Sequence, residues 1–369
     1  MTVPRVHALD GLRAIAAFLV VVFHLGGNAL GPGLAASLVS SVTRSGVELF
    51  FVLSAVVLGR RYIWEGRPLV VRTYFRRGAE RLWPPYLVAW LLAGATIAVT
   101  SGWPTWWSVN ASLPSFKTVE WLGQFFIPNW WSPPYNFAWW SLTVEVSFYV
   151  LLPLLIPIFQ AIHQQSALVL TAFVCTVLLS IIAFNRVDVP VLGDLVTYAS
   201  CFAAGLVLVS RDVSARGRYS AVLGGACLTI GSILYPSLNP HAGWGLIYFG
   251  IVATAMDRSS GLAKLLSSDV LVWFGERSYS LFLTHSSIIT LTCWAVSLVV
   301  DAKGPAYFVA TRLIAVPLSM LVAMMLFRYV ERHFATGLVT ADHFWLVGAG
   351  EAAPNIRLRN ETLERPKQR

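Results

Sequence analysis

The chain has 369 residues, of which 56% are hydrophobic and only 12% charged. Soluble domains carry about 25% charged residues, so this balance excludes an ordinary soluble enzyme and points to a polytopic membrane protein. The formal charge of +9 does not argue for nucleic acid as a partner, because the positive residues lie between apolar spans, where they orient a membrane chain.

Ten apolar segments can be counted, over roughly 8–28, 45–60, 84–101, 139–159, 167–185, 191–210, 220–238, 243–257, 271–299 and 306–329. About 20 apolar residues cross a bilayer, and several of the ten are shorter or interrupted. The first, LDGLRAIAAFLVVVFHL, carries Arg13 and His24. Eleven residues at 100° each make about three turns, which puts both side chains on nearly one face, about 16 Å apart along the axis. Lipid rejects both groups, so that face looks into protein or a wet cavity. Arg5 and Arg13 ahead of an apolar run also mimic a secretory signal. The ionisable groups inside the run favour a retained span.

Between the second and third segments lies VRTYFRRGAERLWPPY, with Arg72, Arg76, Arg77 and Arg81 within ten residues. It reads as an inner loop, with Pro84-Pro85 setting the start of the third span. Two readings stand side by side: topogenic charge against anionic lipid heads, and a phosphate site built from guanidinium forks. The stretch 102–138 is rich in Trp and Pro and forms the longest outer connection. Its aromatics, with Trp139 and Trp140 at its end, either anchor at the interface or form a lid or acceptor platform. The basic residues favour the inner connections, so both termini are expected in the cytoplasm. Residues 1–333 read as one membrane domain and 334–369 as a basic, mobile tail. Asn110 and Asn360 begin three-residue glycosylation sequons, a weak signal. Cys175, Cys201, Cys227 and Cys293 stand alone in apolar runs, so neither disulfides nor a metal site is expected.

Counting along each span puts His24, Glu48, Glu145, His285 and Arg312 in the outer half of the membrane. Each has a plain alternative, a satisfied hydrogen bond between helices. Their convergence favours a site, since titratable groups in unusual surroundings gather where chemistry is done.

LDGLRAIAAFLVVVFH (9–24), GVELFFVLSA (46–55), the basic stretch up to Pro84-Pro85-Tyr86, WWSLTVEVSFYVLLP (139–153) and SYSLFLTH (278–285) together resemble the acyltransferase-3 family of integral membrane O-acyltransferases. Their order and spacing fit over about residues 5–333. The resemblance implies an all-helical bundle of ten transmembrane helices in the cell membrane, expected to be a bacterial inner membrane. It implies transfer of an acyl group, often acetyl, from acyl-CoA to a hydroxyl of a glycan or other acceptor. Arg13 and His24 match the family's Arg-x10-His motif, and Glu145 the acid of Trp-Ser-Leu-x-x-Glu. Departures are Glu48 where Asp is usual, Ala55 where Gly follows Ser54, and Gly78 in place of one basic residue before Arg81. No appended soluble esterase-like domain is expected.

On this basis His24 is expected to be the general base, with Glu145 or Glu48 orienting it. Arg13, Arg76, Arg77 and Arg81 are expected to hold the donor's phosphates. Trp139, Trp140, Ser54 and His285 are expected to line the substrate. Direct transfer is preferred, with Ser54 or Ser141 as candidates for an acyl-enzyme. The competing readings are a transporter or flippase, against which the absence of repeated motifs between halves counts, and a non-catalytic component of polysaccharide export.

Overall fold

The computed structural model describes residues 5–27, 33–101, 115–125, 135–187, 192–210, 213–301 and 305–336. Both sequons, the tail beyond 336 and most of the tryptophan-rich connection lie outside them. Among the described residues the regular structure is all helical.

Helix α1 (His7–Val22) runs into a π-helical turn (Phe23–Gly27), and α2 (Leu34–Arg44) and α3 (Gly46–Gly59) into a second such turn (Arg60–Trp64). Then follow α4 (Val71–Thr100), α5 (Thr118–Gly123), α6 (Trp140–Ile162), α7 (Ser166–Ala183), α8 (Leu192–Thr197), α9 (Ala199–Ser210), α10 (Ala215–Leu234) and α11 (Pro240–Met256). The chain continues through α12 (Gly261–Leu266), α13 (Asp269–Glu276), α14 (Ser278–Ser297), α15 (Pro305–Leu326), a third π turn (Phe327–Glu331) and α16 (Arg332–Thr336).

Seven helical stretches are long and apolar enough to cross a membrane: His7–Gly26, Leu34–Trp64, Val71–Thr100, Trp140–Ile162, Ser166–Ala183, Ser278–Ser297 and Pro305–Phe334. The other three expected segments fall on α8 with α9, on α10 and on α11. Helices α9 and α11 are short, 12 and 17 residues, and α10 opens with Arg216 and Arg218. Leu154, Ile182 and Leu313 are 68, 58 and 71% exposed, a surface that suits hydrocarbon.

Three boundaries differ from the sequence reading. The basic stretch is no loop: it is the first turns of α4, which continues through Pro84 and Pro85. Those prolines remove two backbone donors, yet Tyr86, Ala89, Trp90, Ala93 and Ile97 recur every three or four residues and are buried. That stripe holds the helix against the core. The ninth segment divides at Arg277, which caps both α13 and α14. Its guanidinium lies 4.0 Å from the Trp273 ring centre and 4.7 Å from that of Phe327, a corner held by cation–π contact. The second segment starts at Leu34 and breaks at Ser45, whose hydroxyl lies 2.7 Å from the Val42 carbonyl and 2.6 Å from the Tyr248 hydroxyl. Such local bonds compete with the helical ladder.

Helix α14 is the most buried of the spanning stretches, and α15, α4 and α1 pack against it. Helix α3 packs on α1, and Gly46 lets the two approach. A Cβ at Gly46 would strike the Ala16 carbonyl oxygen.

Candidate active site

His24 lies in the π-helical turn that ends the first span. Such turns mark places where a helix is re-aimed, frequently at functional sites. The turn closes at Gly26, whose φ of +119° suits a residue without a Cβ. Arg312 of α15 holds it from the side, donating through Nη2 to the Leu25 carbonyl and through Nη1 to the Phe308 carbonyl at 3.1 Å. A cation thereby meets the last carbonyls of a helix, where the dipole is negative. The expected depth of Arg312 near His24 thus has a structural outcome: it fixes the turn that carries the histidine.

The imidazole of His24 faces His285 of α14, with Nδ1 of His24 3.0 Å from Nε2 of His285. The rings stack with centroids 5.1 Å apart, and Phe137 packs edge-on against His24 at 4.8 Å. His285 is fully buried and its Nδ1 donates to the carbonyls of Leu281 and Phe282 at 3.0 and 2.9 Å. His24 is half-buried, so it is the accessible member of the pair.

A cavity lies on the side of α1 that carries Arg13. It is lined by Arg13 and Arg81, by Ser54, Ser141, Glu145 and Tyr149, and by Phe50 and Phe282. Phe50 and Phe282 meet edge to face with centroids 6.1 Å apart, and Phe282 stands 6.1 Å from the His285 ring. These aromatics separate the polar cavity from the imidazoles. Glu145 Oε1 accepts from Ser54 Oγ at 2.6 Å and from the Tyr149 hydroxyl at 2.7 Å. Arg13 and Arg81 both lie within electrostatic reach of Glu331, whose Oε2 accepts from Ser280 at 2.6 Å. Two cations and one carboxylate, Glu145, thus share a space walled by hydrocarbon and aromatic rings, with Glu331 close to the same two cations. The imidazole pair lies beyond the Phe282 wall of that space.

The residues singled out from sequence separate into groups. Arg13, Arg81, Ser54 and Glu145 share the cavity. Arg77 is half-buried, one turn before Arg81 on the same face of α4. Arg76 is 68% exposed and pairs with Glu80 at 3.5 Å, so it points away from the cavity. His24 and His285 touch, and the expectation that a carboxylate orients His24 is replaced by this imidazole contact. Glu145 is bound to Ser54 and Tyr149 instead. Glu48 is bound to His241 of α11, whose Nδ1 lies 2.5 Å from its Oε1, with side chains 2 and 6% exposed. Trp139 is fully buried and donates to the Leu283 carbonyl at 3.3 Å, which makes it an anchor between its segment and α14 rather than a lining for substrate. Trp140 packs on the Tyr198 ring at 5.6 Å. His285 likewise meets His24, not open space.

Tyr149, Tyr279, Glu331 and His241 were not singled out from sequence. Tyr149 was legible in principle, four residues after Glu145 and therefore on its face. Glu331 and His241 each lie at the edge of an apolar segment, where a polar residue reads as interfacial. Among the described residues no cluster of His, Cys, Asp and Glu has the makings of a metal site.

The fold and the site define a multi-pass helical membrane protein with a histidine pair and a cavity lined by charged groups. The family model of an acyltransferase domain matches residues 6–327, and the chain belongs to that acyltransferase-3 family. It is 26% identical to a peptidoglycan O-acetyltransferase, OatA, of Listeria monocytogenes over 370 residues, covering 88% of this chain and 55% of the relative. It is 25% identical to the O-acetyltransferase OatA of Staphylococcus aureus over 364 residues, covering 88% of this chain and 56% of the relative. The chain therefore spans about half the length of these curated relatives. No solved structure matches it.

Proposed function

We propose that the protein is an acyl-CoA-dependent O-acyltransferase of a bacterial cell membrane, which moves an acetyl group to a hydroxyl of a glycan or glycosylated metabolite. The observation that carries this reading is the half-buried His24, held at 3.0 Å by His285, with a cavity lined by Arg13 and Arg81 that reaches Phe282 beside that pair. The names of the relatives support O-acetyl transfer and a cell-envelope glycan as acceptor.

In this scheme Arg13, Arg77 and Arg81 receive the anionic end of the donor, because guanidinium forks match phosphate oxygens. The uncharged arm of the donor passes Phe50 and Phe282 and brings the thioester to His24. The acceptor oxygen attacks the thioester carbon while His24 Nε2 takes the hydroxyl proton. The tetrahedral intermediate then collapses, the carbon–sulfur bond breaks, and the proton held by His24 goes to the departing thiolate. The products are the ester and free CoA thiol. Ser54 stays bonded to Glu145, and transfer is direct.

The test is thiol release from acetyl-CoA by the purified protein in detergent, with and without glycan acceptors. Acceptor-dependent release that is lost in His24→Ala supports the reading. Release that persists in that variant, with the protein folded, removes His24 as the base.

A further inference from the structure

We infer that His285 is a positioning residue that, together with the Val20 carbonyl, holds His24 as the Nδ1–H tautomer and aims its Nε2 at the acceptor hydroxyl. The inference rests on His24 as the base and adds how that base is held.

A backbone carbonyl can only accept, so His285 Nδ1, at 3.0 Å from the Leu281 oxygen and 2.9 Å from the Phe282 oxygen, carries a hydrogen. In a neutral imidazole the other nitrogen is then an acceptor. That nitrogen, Nε2, is the atom 3.0 Å from His24 Nδ1, so the shared hydrogen belongs to His24 Nδ1. The reverse assignment needs hydrogens on both nitrogens of His285. That would be a full positive charge on a side chain 0% exposed, whose hydrogen-bond partners are two carbonyls and an imidazole. Burying an ion without a counter-charge is far costlier than burying a neutral ring.

His24 also bonds to the Val20 carbonyl four residues back, the relation that His285 has to Leu281, and that carbonyl favours the same Nδ1–H tautomer. The contact with His285 comes from another helix, so it sets the direction in which the ring faces. When His24 takes a proton at Nε2, its Nδ1–H still donates to His285, so the contact survives the reaction. In hydrolytic triads a carboxylate orients the base and steadies the imidazolium. Here a neutral imidazole does the orienting. It suits a span where an extra buried carboxylate would be expensive.

The direct test is the nitrogen chemical shifts of His24 in protein carrying labelled histidine, assigned by loss of the signal in His24→Ala. In the native chain His24 is expected as the Nδ1–H tautomer. Finding it as the Nε2–H tautomer would overturn the inference without any further variant. His285→Leu is expected to keep the tautomer through the Val20 carbonyl, to leave the ring free to turn, and to lower kcat by roughly 10–100-fold, the cost of losing a group that orients a functional histidine. KM for acetyl-CoA and acceptor is expected to stay within about twofold, because neither substrate touches His285. His285→Gln, whose amide oxygen can accept the same hydrogen, is expected to keep the native tautomer and restore most of kcat. A His285→Leu protein with native kcat, or a His285→Gln protein that keeps the tautomer but not the rate, would overturn it. The shifts speak to the positioning alone, whereas turnover in His24→Ala speaks to the role of His24, so the two failures are distinguishable.

Discussion

Replacing His241 with leucine strands a carboxylate inside the protein. Glu48 is 2% exposed, its Oε1 lies 2.5 Å from His241 Nδ1, and its Oε2 has no hydrogen-bond partner among the described atoms. Leucine fills much of the imidazole volume, so the cost is electrostatic rather than a void. Removing one partner of a buried pair costs about 3–5 kcal/mol, whereas replacing both with apolar groups is often neutral. His241→Leu is therefore expected to lower the thermal midpoint strongly. The double variant Glu48→Leu/His241→Leu is expected to recover most of the loss, a favourable coupling of well over 1 kcal/mol. The assay is the midpoint of thermal aggregation for each variant in detergent, followed by size-exclusion chromatography. A His241→Leu protein that melts with the native one would refute the reasoning, as would a double variant that simply sums the two single losses. The double variant also separates roles: if Glu48 serves stability alone, the recovered protein retains acetyl transfer.

His24→Ala is expected to lose at least about 10²-fold in turnover, the scale of a positioned general base, with a native thermal midpoint. Arg77→Ala with Arg81→Ala is expected to raise the KM for acetyl-CoA several-fold, while Arg76→Ala, on the exposed side of α4, leaves it within twofold. A change confined to protein abundance in the double variant would leave the arginines a topogenic role only. Gly26→Ala forces a side chain into positive φ and against the Arg312 guanidinium. It is expected to lower both kcat and the thermal midpoint, by about 1 kcal/mol or more in stability. Ser54→Ala is expected to retain transfer, since Ser54 donates to Glu145 and forms no acyl-enzyme in the proposed scheme. Complete loss in a folded variant would favour a covalent route.

Much of this was legible along the chain. Apolar run length gave the class, and the spacing of Arg13 and His24 gave one functional face. The structure places Arg13 in the cavity and His24 against His285. What the sequence could not supply was pairing across helices. Glu48, Glu145 and His24 fall at similar depth, and depth alone cannot say which meets which. The structure gives Glu48 to His241, Glu145 to Ser54 and Tyr149, and His24 to His285. The basic stretch failed as a loop because prolines read as a boundary, while the buried stripe from Tyr86 to Ile97 carries the helix past them. Trp139 and Trp140 read as interfacial from composition, yet Trp139 is locked to Leu283 by its indole N–H.

In the proposed scheme the donor reaches from the arginines past Phe50 and Phe282 to His24. Cryo-electron microscopy of the protein with a non-hydrolysable acetyl-CoA analogue tests it most directly. Density for the phosphates against Arg13, Arg77 or Arg81, with the acyl carbon near His24 Nε2, is the expected result. An analogue bound elsewhere, or with its acyl end turned away from His24 behind closed Phe50 and Phe282, would contradict it.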